Sequence, residues 1–401
     1  MNELLIRCLQ NNCNMSREYI ETKLNELSNS ELQAWLREHC KTCLGHDKRR
    51  KTENVGYISR LLTDNDALRH ATSFLDVPDL EGLNISSKKL QMSVDPILTS
   101  RKQWDERVLQ WPMERRNLVK SMRITFPPHT LNPGDLPANL THLEFDRGPV
   151  RRLVPGVFPT SLKYIKFGID FDHPLVSGVL PTGLVSLTFG SGFNQPLVPG
   201  VLPNSLTHIM FGHRFDHPLV PGVLPTGLES LTFGSGFNQP LVPGVLPNSL
   251  THIVFGHRFD QPLKPGMFKN NLTHITFGNT FNQPLYPGIF PESVTHITFG
   301  RYFNQPLEPG IFPESVTNII FGTGFNQPLV PGIFPESVTN IIFGTYFDQP
   351  LVPGIFPVGL KSLEIGYYFD QPVGPEVFPT GMTDINFRNE NYRNQYGQEY
   401  R

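Results

Sequence analysis

Three histidines stand at one fixed interval in the second half of the chain: His252, His274 and His296, each preceded by Thr and followed by Ile. On neighbouring strands such rings would lie about 4.8 Å apart, a spacing at which two imidazoles can share a metal ion. The other reading is a polar ladder facing solvent, produced because a repeat duplicates whatever residue it carries, and that reading is adopted. A second set of possible ligands lies near the N-terminus: Cys8, Cys13, Cys40, Cys43 and His46. Cys40 and Cys43 have the two-residue separation of a metal knuckle, whereas Cys8 and Cys13 do not, and the stretch between the pairs reads as helix. The cysteines are therefore assigned to helix faces, with Cys40 and Cys43 as the only metal candidates. Catalysis needs unlike groups converging on one point, and this chain offers like groups along a line. It has no G-x-S-x-G, P-loop, H-E-x-x-H or G-x-G-x-x-G, and its strands lack the acidic clusters of polysaccharide-cleaving β-helices. The expectation is a protein that is not an enzyme and needs no cofactor.

The interval that carries the histidines runs through most of the sequence. A tetrad F-[N/D]-[Q/H]-P begins at Phe171 and returns every 22 residues up to Phe369. A second apolar anchor keeps the same step from Phe145 to Phe387, with Ile365 as its single non-aromatic member. Phe126 is taken to close a shorter, degenerate first unit. A constant period with no insertions indicates a solenoid, in which each unit buries its apolar residues only against its neighbours.

One unit can be read in pieces. Residues 250–255, LTHIVF, form a short strand rich in β-branched and aromatic side chains. Gly256 and the polar pair after it turn the chain. Residues 259–266, FDQPLKPG, run extended, because Pro262 and Pro265 exclude a helix, and Pro265-Gly266 makes a further turn. Strand alternation sends Ile253 and Phe255 inward and His252 and Val254 outward. Stacked, the strands make a parallel sheet, with Phe over Phe inside and the Asn or Asp after each tetrad Phe forming an internal ladder that bonds turn backbone. The outward column holds apolar residues, Met210, Val254, Ile320 and Ile342, beside the histidines. Apolar groups on a broad sheet face suit a protein-binding surface, so Met210, His252, Val254, His274, His296, Ile320 and Ile342 are the candidate target-binding residues.

Composition agrees. The 401 residues include 38 Pro, 34 Gly and 30 Phe, and only 17% are charged. That much Pro opposes a helical protein, and so many large apolar residues oppose disorder. The net charge is −2, without the basic excess that phosphate-backbone binding needs. The basic run HDKRRK at 46–51 is read as a solvated linker. All four cysteines lie in the first 43 residues, so the repeats carry no disulfide framework, which fits a reducing compartment. No apolar h-region of a leader and no stretch of about 18 apolar residues is present. The expected location is the cytoplasm, a host's if the protein is viral, with the nucleus as the alternative, and neither membrane nor nucleic acid is an expected partner.

The first 125 residues differ. Tyr19, Ile20, Leu24, Leu27, Leu32, Trp35 and Leu36 recur at helical spacings, and Ser28 with Glu31 has the form of a capping box. Residues 95–122 suggest a further helix or two, interrupted at Pro112. The expected organisation is a helical segment over 1–57, a helical domain and connector over 58–125, the solenoid over 126–388 and a polar tail over 389–401.

The tetrad together with the PLxPGxLPxSLTHLxFG pattern resembles the FNIP repeat, a 22-residue motif of amoebae and their giant viruses, over about residues 145–388. Leu250, Ile253 and Phe255 also resemble the L-x-x-L-x-L core of leucine-rich repeats, although Arg258 stands where that family has asparagine. The resemblance implies leucine-rich-repeat-like coils with a parallel sheet, preceded by a helical domain. FNIP repeats often follow an F-box, and residues 61–100 resemble one in Phe74, Leu75, Pro78, Asp79, Leu80, Leu83, Ile85, Ser87 and Lys88. Thr63 replaces the usual Pro, one extra residue precedes Phe74, and Leu90 stands where Trp is common. The resemblance implies that Leu62, the Ala67-Leu68 step, Phe74, Leu75, Pro78, Leu80, Leu83 and Ile85 dock a Skp-family linker, and through it a cullin. The chain would then be the substrate receptor of a cullin–RING ubiquitin ligase, monomeric outside that complex, with its solenoid holding an unidentified target protein. The alternative is a structural or protein-interaction solenoid whose N-terminal helices serve only as a cap.

Overall fold

A computed structural model describes residues 109–110, 113–125, 131–146 and 153–389, together with Ser16, Glu18 and Thr22. The chain divides into two compact units, Met1–Lys102 and Gln103–Arg401. Within the first, Glu18 and Thr22 are helical, and the Thr22 hydroxyl donates to the Glu18 carbonyl at 2.8 Å. All other described residues belong to the second unit.

The second unit is a parallel β-solenoid. A four-residue helix, α1 (Met113–Arg116), follows Pro112. Thirteen strands then form one sheet in strict sequence order: β1 (Ser121–Ile124), β2 (His142–Phe145), β3 (Tyr164–Lys166), β4 (Ser186–Thr188), β5 (His208–Met210), β6 (Ser230–Thr232), β7 (His252–Val254), β8 (His274–Thr276), β9 (His296–Thr298), β10 (Asn318–Ile320), β11 (Asn340–Ile342), β12 (Ser362–Ile365) and β13 (Asp384–Phe387). Every pairing is parallel, and the register places each residue beside its equivalent one repeat on, as with Ile253 beside Ile275. Two expectations are corrected at the first coil. The partner of Phe145 is Ile124, not Phe126, so the first unit is one residue short and its anchor is aliphatic. The sheet accordingly starts at Ser121, ahead of the boundary drawn at 126, because pairing with β2 rather than the 22-residue count sets the register.

Each coil closes through β-turns that the sequence specifies. In the coil that begins at Phe237, the Val245 amide donates to the Val242 carbonyl at 3.2 Å. Pro243 and Gly244 fill the central positions, with Gly244 at φ 89°. That is the arrangement of a type II turn, which wants Pro first and a residue tolerant of positive φ second. Leu250 donates to Pro247 and Phe259 to Gly256 across two more turns.

Two columns of stacked phenylalanine run along the core, and a third joins them from Phe268 to Phe378. Phe237 is fully buried. It lies 3.9 Å from Phe233 within its coil and 6.1 Å from Phe215 and from Phe259 in adjacent coils, centroid to centroid, in near-parallel planes. Offset stacking of this kind adds to the area buried by each ring. Beneath the strands the inward Leu/Ile column, for example Ile253 and Ile275, is also buried.

The tetrad's two degenerate positions have a common cause. The Asn238 side-chain oxygen accepts the Asp260 amide at 2.9 Å and the Gln261 Nε2–H at 3.0 Å. Asp260 in turn accepts from the Asn282 amide and from Gln283, each at 2.9 Å. The first position must supply only an acceptor, so Asn and Asp both serve. The second must supply a donor, so Gln serves, and His217 substitutes with its Nε2 at 3.0 Å from the Asn194 carbonyl. The pattern alone places this ladder inside the solenoid. It lies instead half-buried or exposed along the surface, where its donors are the backbone amide of the next coil's Asn or Asp and the Gln or His side chain that follows it.

The glycine that follows the anchor of each strand from β4 to β12 is required for a different reason. A Cβ on Gly278 would stand 1.7 Å from the Gly256 carbonyl oxygen, and one on Gly256 would stand 1.9 Å from that of Gly234. Coils are stacked so closely there that only hydrogen fits.

Candidate binding face

The outward surface of the sheet carries two columns of side chains. The burial alternates along the strands as anticipated: in β7, His252 and Val254 are exposed and Ile253 between them is buried. Met210 is 49% exposed and Val254 36%. Ile320 and Ile342 also point outward but are half-buried. They adjoin one another across β10 and β11, and two neighbouring branched side chains shield each other.

The three histidines form a stack. Ring centroids are 4.3 Å apart between His252 and His274 and 4.2 Å between His274 and His296, with planes within 13°. The Thr before each ring holds it in place. Thr273 Oγ1 donates to the Thr251 carbonyl at 3.0 Å and lies 2.8 Å from His274 Nδ1. Desolvation, and then the neighbouring His296 and His252, lower the pKa of His274 below the usual histidine value. The rings lie face to face instead of converging on a point, and among the described residues no group of three or more His, Cys, Asp or Glu has the geometry to hold a metal ion. Asn318 and Asn340 continue the same column in β10 and β11.

The sheet's first three strands carry charges that the sequence-based site did not include. Glu144 on β2 sits between Arg123 on β1, at 3.0 Å, and Lys166 on β3, whose ammonium also pairs with it. His142 stacks on Tyr164 at 4.2 Å, and burial lowers the His142 pKa. A cleft of ≈ 270 Å³ opens here, lined by His142, Glu144, Tyr164, Lys166, Ser186 and Thr188 among others. At the far end Glu364 pairs with Arg388. The charges were legible in the outward column, but only the register of the shortened first coil brings Arg123 into line with Glu144. The remaining site candidates lie outside the described residues: Leu62, Ala67-Leu68, Phe74, Leu75, Pro78, Leu80, Leu83 and Ile85 for linker docking, and Cys40 and Cys43 for metal.

These features define a class: a leucine-rich-repeat-like parallel β-solenoid with 22-residue coils. Within that class a family profile described as FNIP Repeat matches residues 151–192, 193–236, 237–280, 281–324, 325–368 and 347–390, each match spanning about two coils. The chain belongs to the FNIP repeat family. Among solved structures it is similar to CroV588, described as a circular LRR protein, at 38% identity and a TM-score of 0.65, over 68% of this chain and 40% of that one. The chain thus spans less than half the length of that relative. A leucine-rich repeat protein from Bacteroides ovatus matches at 13% identity over 67% of this chain and 88% of that one, with a TM-score of 0.20, too low to bear on the fold. None of the curated proteins matches the chain.

Proposed function

We propose that the solenoid is a non-catalytic protein-binding scaffold that holds a target protein on its strand face. The observation that carries this reading is the face itself. From β4 to β11 it presents uncharged side chains in register, including exposed Met210 and Val254. A broad, uncharged face is suited to burial against another protein. We further propose that the chain is a substrate receptor of a cullin–RING ubiquitin ligase acting in the cytoplasm or nucleus, with the F-box-like residues Phe74, Leu75, Pro78, Leu80 and Leu83 docking the Skp-family linker. The receptor would act by proximity, raising the local concentration of the target's lysines at the ligase.

The second reading, a bare interaction solenoid with a helical cap, is supported by α1. Arg116 Nη1 donates to the Asp135 carbonyl at 2.8 Å and to the Leu109 carbonyl at 3.3 Å, tying the residues before β1 to the first coil. Affinity capture from amoebal lysate separates the readings. Recovery of linker and cullin by the wild type but not by Leu75→Lys/Leu80→Lys, both folded by circular dichroism, supports the receptor. Recovery by neither leaves the bare solenoid. Ile320→Lys/Ile342→Lys tests the face: a folded variant that retains every partner of the wild type refutes it as the binding surface.

A further inference from the structure

The strand face is electrically lopsided. Around β1–β3 it gathers Lys120, Arg123, Lys163 and Lys166, all exposed, against two carboxylates: Glu144, which is more recessed than the cations that flank it, and Asp146, exposed one residue past β2. From β4 through β11 the two outward columns contain no Lys, Arg, Asp or Glu, and in the column just before them the one charge is Glu229, at the start of β6. The basic end also holds the ≈ 270 Å³ cleft, with the His142–Tyr164 stack, Ser186 and Thr188 at its walls. Cations beside a cleft, followed by a long neutral face, specify more than a generic sticky surface.

We propose that the target is a protein carrying an acidic segment, Asp- or Glu-rich, seated over β1–β3, with the uncharged part that adjoins it lying across β4–β11. This deepens the protein-binding reading of the strand face and rests on it. Charge complementarity fixes the direction in which the target lies: its carboxylates meet Arg123, Lys163 and Lys166, and the hydroxyls of Tyr164, Ser186 and Thr188 can donate to carboxylate oxygens left over. Glu144 holds Arg123 and Lys166 in place. Four cations at one end of a sheet whose central strands β4–β11 are uncharged in the outward columns are also too few and too localised for a phosphate backbone running along it. Complementary charges of this kind set orientation and association rate more than total affinity.

The test uses the full chain and three labelled probes in fluorescence anisotropy: a peptide of six Glu followed by eight Thr/Val residues, the same peptide with six Lys, and a 14-nucleotide single-stranded DNA. The expected result is binding of the acidic peptide only, weakened roughly tenfold by Lys163→Glu/Lys166→Glu and weakened again by raising salt from 0.05 to 0.3 M. Because Glu at 166 faces Glu144, the neutral variant Lys163→Gln/Lys166→Gln is measured beside it and should show a smaller loss in the same direction. Tighter binding of the DNA overturns the proposal in favour of a nucleic-acid partner. Equal binding of the acidic and basic peptides, no binding of any probe, or no loss in either variant also overturns it. If it falls while Ile320→Lys/Ile342→Lys still loses a cellular partner, the binding face stands without the acidic segment; if that variant too retains every partner, the face itself falls.

Discussion

Replacing Gly278 by Ala should damage the solenoid far more than replacing Gly288 by Ala, although both glycines lie in adjacent parts of the repeat. The added methyl at 278 would stand 1.7 Å from the Gly256 oxygen and 2.6 Å from its carbonyl carbon. An ordinary contact begins near 3.4 Å, so two backbones locked by strand pairing on one side and turn hydrogen bonds on the other must move well apart. The Phe277 amide, which donates to the Thr298 carbonyl at 2.8 Å, and the Phe281 amide, which donates to Gly278 at 3.2 Å, flank the clash and would be strained with it. Overpacking against side chains costs about 1–3 kcal/mol, and backbone against backbone has less room to relax, so a loss of about 3 kcal/mol or more is expected. Gly288 has φ 83° and nothing within 4 Å of its Cβ position. Its substitution carries only the left-handed penalty, about 1–2 kcal/mol. Urea denaturation followed by circular dichroism measures both, and hydrogen exchange locates the weakened coils. Equal losses, or a larger loss at 288, would refute the close-stacking argument.

Two more outcomes follow from the ladders. Asn282→Asp should be nearly neutral and Asn282→Ala should cost about 1–3 kcal/mol, because the Asn282 oxygen accepts both the Asn304 amide at 2.9 Å and the Gln305 side chain at 3.1 Å; thermal denaturation of the two variants compares them directly. The histidine stack should make stability fall with acid. The His274 pKa is lowered in the folded state by desolvation and by its histidine neighbours, so the unfolded chain binds the proton first, and the contribution is present above about pH 6.5 and lost as pH falls through that value toward the folded pKa. His274→Asn, which imitates Asn318 in the same column, should reduce the drop in Tm between about pH 7.5 and 5.5, and an unchanged drop would remove the stack from the explanation.

Much of the architecture is written in the period. A 22-residue step with Phe at two fixed places leaves little choice but coils stacked in register, and alternation along LTHIVF sets which side chains face out. Pro243 and Gly244 spell their own turn. The tetrad's Asn/Asp ladder to backbone was legible in the repeat, whereas the donor role of its Gln or His was not, since the oxygen it bonds lies one coil away. The tertiary structure alone decided three matters. It showed that the strand-ending glycines are demanded by the distance between coils, which no single repeat reveals. It shifted the first anchor to Ile124, because the ladder with β2 outweighs the count. Through that shift it brought Arg123, Glu144 and Lys166 onto one line. A repeat's sequence determines the fit of a coil to its copy, whereas the charged end of the face exists only where unlike coils are stacked, and that depends on register in space.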